Sequence, residues 1–199
     1  MPDADVNAND YEVNAQWVQD VVEANQTALL RHVVRYFKGD VERARDVVQD
    51  TFLKLWQADR KEIEPHLVQW LFTVSRNRAL DVLRKERRMT ALSPGNPPPD
   101  TVSLSLNGST TPDRQLVERE CKREALDLLD ELPEKESEAI RLKLQVSLSY
   151  KEIAQVMGLT VSHVGVLIHQ GLKSIRAELE TPSIETTTAT GLSGSGGRS

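Results

Sequence analysis

The chain of 199 residues contains a single cysteine, Cys121, so an internal disulfide is excluded and there is no CxxC pair for redox chemistry or zinc. Its four histidines, His32, His66, His163 and His169, stand at no metal-ligand spacing, and no HExxH, Walker loop, GxSxG or dinucleotide fingerprint occurs. No metal, no cofactor and no catalytic residue is therefore expected, and an enzyme is the least favoured class. No apolar run approaches the eighteen or so residues of a membrane span, and the acidic N-terminus lacks the basic start and apolar centre of a secretory signal. The expected location is the cytoplasm, with no membrane partner. Lys and Arg are absent before Arg31, where Asp3, Asp5, Asp10, Glu12, Asp20 and Glu23 stand instead. That block would repel DNA and could face a basic protein surface.

Hydrophobic residues make up 39% and charged residues 28% of the chain, a balance that fits a soluble globular protein of one domain or two small ones. The net charge is −5 and the pI about 5.5. Non-specific affinity for duplex DNA comes mostly from phosphate neutralisation, so an acidic chain is not expected to grip DNA strongly unaided.

Apolar periodicity divides the chain. Residues 1–14 are polar and acidic and are expected to be a mobile arm. Residues 15–88 form a first helical domain. In it Trp17, Val21, Val22, Leu29, Leu30, Val33, Val34 and Phe37 recur at helical intervals up to Gly39, and a helix over about Asp40 to Gln57 buries Val48, Phe52 and Leu55. Asp59 to Pro65 reads as a short charged loop, with Pro65 in the first turn of the next helix. Residues 89–112, with Pro94, Pro97, Pro98, Pro99 and Pro112, are a linker. Helical pattern returns over 113–180, and the Thr/Ser/Gly-rich residues 181–199 are expected to be disordered. The fold class is all-α, with two small helical domains on a flexible linker.

The most informative segment is Trp70 to Arg88, WLFTVSRNRALDVLRKERR. Val68, Phe72, Ser75, Ala79 and Val82 form a stripe for packing, widened by Leu67, Leu71 and Val74. Around the helix from them run Trp70, Asn77, Asp81, Arg84 and Arg88, with Arg76, Arg78, Lys85 and Arg87 close by. From Arg76 to Arg88 six Arg or Lys stand against Asp81 and Glu86, an excess of four positive charges in an acidic protein. A basic face bearing an aromatic suits phosphates and unstacked bases; the alternative is a solvated helix end whose cations complement the macrodipole.

A second constellation lies near the C-terminus. A helix over about Glu134 to Leu144 follows Pro133. Ser149-Tyr-Lys-Glu152 is a capping-box pattern for a short helix through Ile153, Ala154 and Met157, closed by Gly158; Thr160 then caps a last helix. That helix is read with Val164, Ile168, Leu172, Ile175 and Leu179 inward. Ser162, Val166, His169, Lys173 and Arg176 point outward. The arrangement is a helix-turn-helix, whose second helix can lie in a major groove, or else a plain helical hairpin. The candidate DNA contacts Ser162, His163, His169, Gln170, Lys173 and Arg176 are weakly basic, which implies modest affinity from this helix alone.

Taken together, DVVQDTFLKLW, WLFTVSRNRALDVLRKERR and LDELPEKESEAIRLKLQVSLSYKEIAQVMGLTVSHVGVLIHQGLKSIRAEL resemble regions 2.1 to 2.2, 2.3 to 2.4 and 4 of bacterial sigma-70 family factors. The resemblance is to the small two-domain group called extracytoplasmic function (ECF) sigma factors, and it covers about residues 20 to 180. It implies a protein without catalytic activity that joins core RNA polymerase and directs promoter recognition, minus-ten melting and transcription initiation. By position, Asp46, Gln49, Asp50 and Thr51, with Phe52 and Trp56, would dock on the coiled coil of the polymerase beta-prime subunit, and region 4 on the beta flap. Asn77, Asp81, Arg84, Arg87 and Arg88 would approach the minus-ten element, while Trp70 and the segment containing Arg60 and Lys61 would hold its melted non-template strand. The helix from Val161 to Leu179 would read the minus-thirty-five element in duplex form. Many relatives carry several Arg near the start and middle of this helix, where this chain has Gly165, Val166, Gln170 and Gly171. An anti-sigma protein is a further partner that the resemblance allows. The second functional reading is a stand-alone helix-turn-helix regulator with the first half as sensor or dimerisation module; a third is a helical adaptor binding proteins only.

Overall fold

The computed structural model describes residues 8–92 and 126–180. Among these residues all regular elements are helical. The linker from residue 93 onward, Cys121, residues 1–7 of the expected arm and the tail 181–199 lie outside the described residues.

Helix α1 (Ala8–Val33) begins inside the segment read as an arm, and its inward line of Val18, Val21, Leu29 and Val33 is buried. Asn25 falls on the same side, and its amide donates to the Val21 carbonyl at 2.8 Å. A 3-10 turn (Val34–Phe37) closes the helix, with Lys38 at φ 52° and Gly39 at φ 94°, and the Gly39 N–H reaches the Val34 carbonyl at 3.0 Å. Asp40 caps α2 (Val41–Gln57) by accepting from the Arg43 N–H. One face of α2, with Ala44, Val47, Val48, Thr51 and Leu55, is buried.

The expected loop at Asp59–Pro65 is instead a single helical turn, α3 (Arg60–Ile63), followed by a 3-10 turn (Glu64–His66). The Asp59 carboxylate accepts from the Lys61 N–H at 2.9 Å and Ile63 is buried, so one cap and one apolar anchor order it. Pro65 consequently belongs to the 3-10 turn, and α4 (Leu67–Leu92) starts two residues later and runs past the expected boundary at Arg88. Leu71, Phe72, Ser75 and Ala79 are its most buried residues, packed where α4 meets α1 and α2.

Among the described residues the second lobe opens with a helical segment, α5 (126–131), tied to α6 (Glu134–Leu144) by Arg141. Its guanidinium reaches the Leu126 carbonyl at 3.2 Å and Asp130 at 3.0 Å. Pro133 opens α6 with its carbonyl, which accepts from the Glu136 and Ser137 N–H groups. The capping box forms as expected: the Ser149 hydroxyl accepts from the Glu152 N–H at 3.3 Å, and Glu152 accepts from the Ser149 N–H at 2.8 Å. Helix α7 (Tyr150–Met157) ends at Gly158, φ 67°, a left-handed position that favours glycine. Thr160 accepts from the His163 N–H and starts α8 (Val161–Glu180).

Helix α8 corrects the sequence reading of its inward line. Leu172 and Leu179 are exposed, and Leu167 and Gly171 are buried with Val164 and Ile168. The cause is the crossing with α6: a Cβ on Gly171 would stand 2.6 Å from Ile140 Cδ1 and 3.3 Å from Glu136 Cβ. The two helices approach where no side chain intervenes, and this shifts the buried line to Val164, Ile168, Gly171 and Ile175.

Candidate partner and nucleic-acid surfaces

Helix α2 presents Asp46 and Gln49 to solvent, with Leu53 at 62% and Trp56 at 39% exposure continuing the line at helical spacing. Leu53 was missed because an apolar residue in a helix reads as core; its register with Asp46 and Gln49 was the available signal. Asp50 is only partly exposed and pairs with Arg78 Nε at 2.7 Å. Phe52 is half-buried against the core. Thr51 is a correction: it is fully buried and its hydroxyl donates to the Val47 carbonyl at 2.8 Å, so it offers no atom to a partner.

On α4, Asn77, Asp81, Arg84 and Arg88 are exposed along one line, with Arg87 exposed beside them. Arg84 pairs with Asp81 at 3.1 Å on the surface. Trp70 is half-buried against the core. Lys61 is exposed, whereas the Arg60 guanidinium lies 4.9 Å over the Trp17 ring and bonds Glu64 at 3.0 Å. That hydrogen bond raises the Arg60 pKa and lowers that of Glu64.

Two of the clustered cations turn away from this line. Arg78 is held by Asp50, and Arg76, 15% exposed, is held by Glu138 of α6 through Nε at 2.8 Å. Glu138 also accepts from the Tyr36 hydroxyl. Arg35 makes a second tie between the lobes, to Ser137 Oγ at 3.1 Å and Asp130 at 2.8 Å. His32 lies in the same seam, edge-on to Tyr36 and Phe72, with Nε2 4.0 Å from Glu138 and without a hydrogen-bond partner. Burial first, then the Arg76 and Arg35 cations, lowers its pKa to about 3, so the imidazole is neutral and this contact is no ion pair. Burial and the Glu138 charge push the Tyr36 pKa far up. At Arg76 burial works against the cation, but Glu138 outweighs it and the pKa is raised. Arg141 is lowered to about 10, by burial and by Arg35, against the pull of Asp130. Helix α7 packs on α4 along the same seam.

The outward side of α8 carries Ser162, His163, His169, Gln170, Lys173 and Arg176, all exposed, with Val166 at 50% exposure among them. Among the described residues no group of three His, Cys, Asp or Glu could hold a metal, and no helix is long and apolar enough to cross a membrane.

The pattern described as Sigma-70 region 2 matches residues 21–89, and that described as Sigma-70, region 4 matches residues 122–175. A probable RNA polymerase sigma factor, RfaY, of Xanthomonas campestris pv. campestris is 28% identical over 70% of this chain, which spans only 35% of that protein's length. The ECF RNA polymerase sigma factor SigM of Bacillus subtilis is 27% identical over 69% of this chain and 80% of its own. SigL of Mycobacterium tuberculosis, an ECF RNA polymerase sigma factor, is 25% identical over 83% and 90%. Among solved structures, the sigma factor RpoE in complex with the anti-sigma factor NepR from Bartonella quintana shares the fold at a TM-score of 0.60, with 22% identity over 82% of this chain and 96% of that one. CnrH in complex with the cytosolic domain of CnrY superposes at 0.52, with 25% identity over 86% and 93%. SigM and SigL are named as extracytoplasmic function sigma factors, and regions 2 and 4, matched in that order over the two lobes, establish that the chain belongs to the sigma-70 family.

Proposed function

We propose that the chain binds core RNA polymerase and directs it to a promoter, with catalysis of RNA synthesis left to the polymerase. The observation that carries this reading is the pair of matched regions on one chain, each with its polar line facing solvent: Asn77, Asp81, Arg84 and Arg88 on α4, and Ser162 to Arg176 on α8. In this reading Asp46, Gln49, Asp50, Leu53 and Trp56 dock on the polymerase. Arg84, Arg87 and Arg88 meet minus-ten phosphates while Asn77 and Asp81 face base edges. Lys61, with Arg60, guides the melted strand, and Trp70 supplies an aromatic surface once it turns out of its half-buried position. Helix α8 enters the major groove at the minus-thirty-five element. The working place is the cytoplasm, where polymerase and promoter meet. NepR and CnrY, partners of the two structural neighbours, support an anti-sigma protein as a further partner. A stand-alone regulator is disfavoured, because its first half would be a sensor rather than a lobe matching region 2.

The test is binding to bacterial core polymerase by the wild type and by an Asp46→Arg, Gln49→Arg variant. Both positions are exposed, and Asp50 is left to hold Arg78. Tight wild-type binding that weakens on the order of tenfold or more in the variant is expected for charge reversal on a docking face. A wild type that binds duplex but never polymerase would overturn the reading.

A further inference from the structure

The groups that hold Glu138, Tyr36 and Arg76, both come from the other lobe. This carboxylate, 9% exposed, projects from α6 and accepts from Tyr36 and Arg76, beside His32, whose Nε2 has no hydrogen-bond partner. A guanidinium N–H and a phenol O–H converging on one point make an oxyanion receptor, and carboxylate and phosphate oxygens satisfy it alike.

The closed form cannot be the form that works on a promoter. Minus-ten and minus-thirty-five elements lie about 25 base pairs apart, about 85 Å at 3.4 Å per pair. Helices α4 and α8 are only about 39 and 30 Å long at 1.5 Å per residue, and their lobes touch. When the lobes part, Glu138 leaves with the second one, and Tyr36 and Arg76 remain with the first. The Arg76 guanidinium and the Tyr36 hydroxyl then lose Glu138 and face solvent as two adjacent donors, a pair that an anionic oxygen can occupy in place of the carboxylate. Arg76 directly precedes Asn77 on α4, about 100° around the helix from it. The nearest source of anions is then the backbone of the duplex lying on Asn77, Arg84 and Arg88.

We propose that Tyr36 and Arg76 form a receptor for a promoter backbone phosphate, and that Glu138 occupies it in the closed form, so that one site serves in turn as latch and as DNA grip. This rests on the sigma reading above. It adds a phosphate contact outside the exposed line and a self-made competitor for it.

The experiment measures promoter binding by reconstituted holoenzyme across a salt series. Arg76→Ala should flatten the slope of log K against log salt by about one, and Arg76→Lys should restore it. Tyr36→Phe should weaken binding severalfold at unchanged slope. In the free chain Glu138→Gln should raise affinity for duplex DNA by roughly three- to tenfold, and the gain should vanish in the Glu138→Gln, Arg76→Ala double variant. An unchanged slope in an Arg76→Ala holoenzyme that melts and assembles like wild type would reduce the cluster to a plain latch and overturn the proposal. Weakened polymerase binding at unchanged slope would also overturn it, in favour of an acidic protein segment as the occupant. If wild type fails to bind polymerase the sigma reading falls, yet the free-chain comparison still decides whether the receptor takes phosphate.

Discussion

Helices α4 and α8 are both exposed along one polar side, yet they are built for different tasks. The α4 side carries Arg84, Arg87 and Arg88, with Arg84 paired to Asp81, while Arg76 and Arg78 turn away from it to Glu138 and Asp50. The α8 side is mostly neutral, with Ser162, His163, Val166, His169 and Gln170 preceding its two cations, Lys173 and Arg176. Charge neutralisation supplies affinity, whereas hydrogen-bonding and apolar groups at base edges supply discrimination. On the proposed function the first lobe would supply grip through its cations, and the second would read base edges with little charge of its own.

The comparison breaks if the two sides respond alike to charge removal. In the holoenzyme, Arg84→Ala with Arg88→Ala should weaken promoter binding on the order of tenfold to a hundredfold and flatten the salt slope by nearly two. Lys173→Ala with Arg176→Ala should change affinity by less, and sequence changes in the minus-thirty-five element should matter more to α8 than salt does. Equal slopes for the two double variants would sink the division of labour.

A second contrast lies in the histidines: His163 and His169 are exposed on α8, and His32 is buried at the seam. The His32 pKa is about 3 in the folded chain against an ordinary 6.5. Between those values the unfolded chain holds more protons, so stability falls as pH falls through that window. The loss by pH 5 should be about 2 kcal/mol relative to neutral pH. Urea titrations at pH 7 and pH 5 check this, and His32→Phe should remove that part of the difference; a wild type equally stable at both would show that the imidazole is not held neutral. The smallest effect belongs to the second lobe. Ser149→Ala removes a partner of the Glu152 N–H and should cost about 1 kcal/mol in thermal unfolding, without changing the salt slope of promoter binding.

Local grammar carried most of the fold. Pro133, the Ser149 to Glu152 box, Gly158 and Thr160 each act within a few residues, so α6 and α7 and the start of α8 were legible from the chain alone. The α3 turn escaped because one cap and one buried isoleucine are too little pattern for four residues. The buried line of α8 escaped because a glycine at a close crossing carries no hydrophobic signal. Thr51 entered the docking set only by position in the resemblance, and its hydroxyl is satisfied by its own helix, four residues back. The seam was illegible for another reason: Tyr36 and Glu138 are 102 residues apart, Arg76 and Glu138 62 apart, and each alone reads as a surface residue. The exposed lines on α4 and α8 followed from helical spacing, whereas the α2 set came from the resemblance and lacked Leu53.

The gap at Gly171 works as a keyway. Ile140, Leu132 and Glu136 close around the position a Cβ there would take, so the present azimuth of α8 is the one that brings its bare backbone against α6. Rotating the helix by a single residue, about 100°, would drive Gln170 or Leu172 into the slot. The heading of the outward polar line is thus set from behind, at a residue on the opposite, buried side of α8. Filling the slot would re-aim Ser162, Val166 and Gln170 together, and on the proposed function the base pairs they meet would change with them.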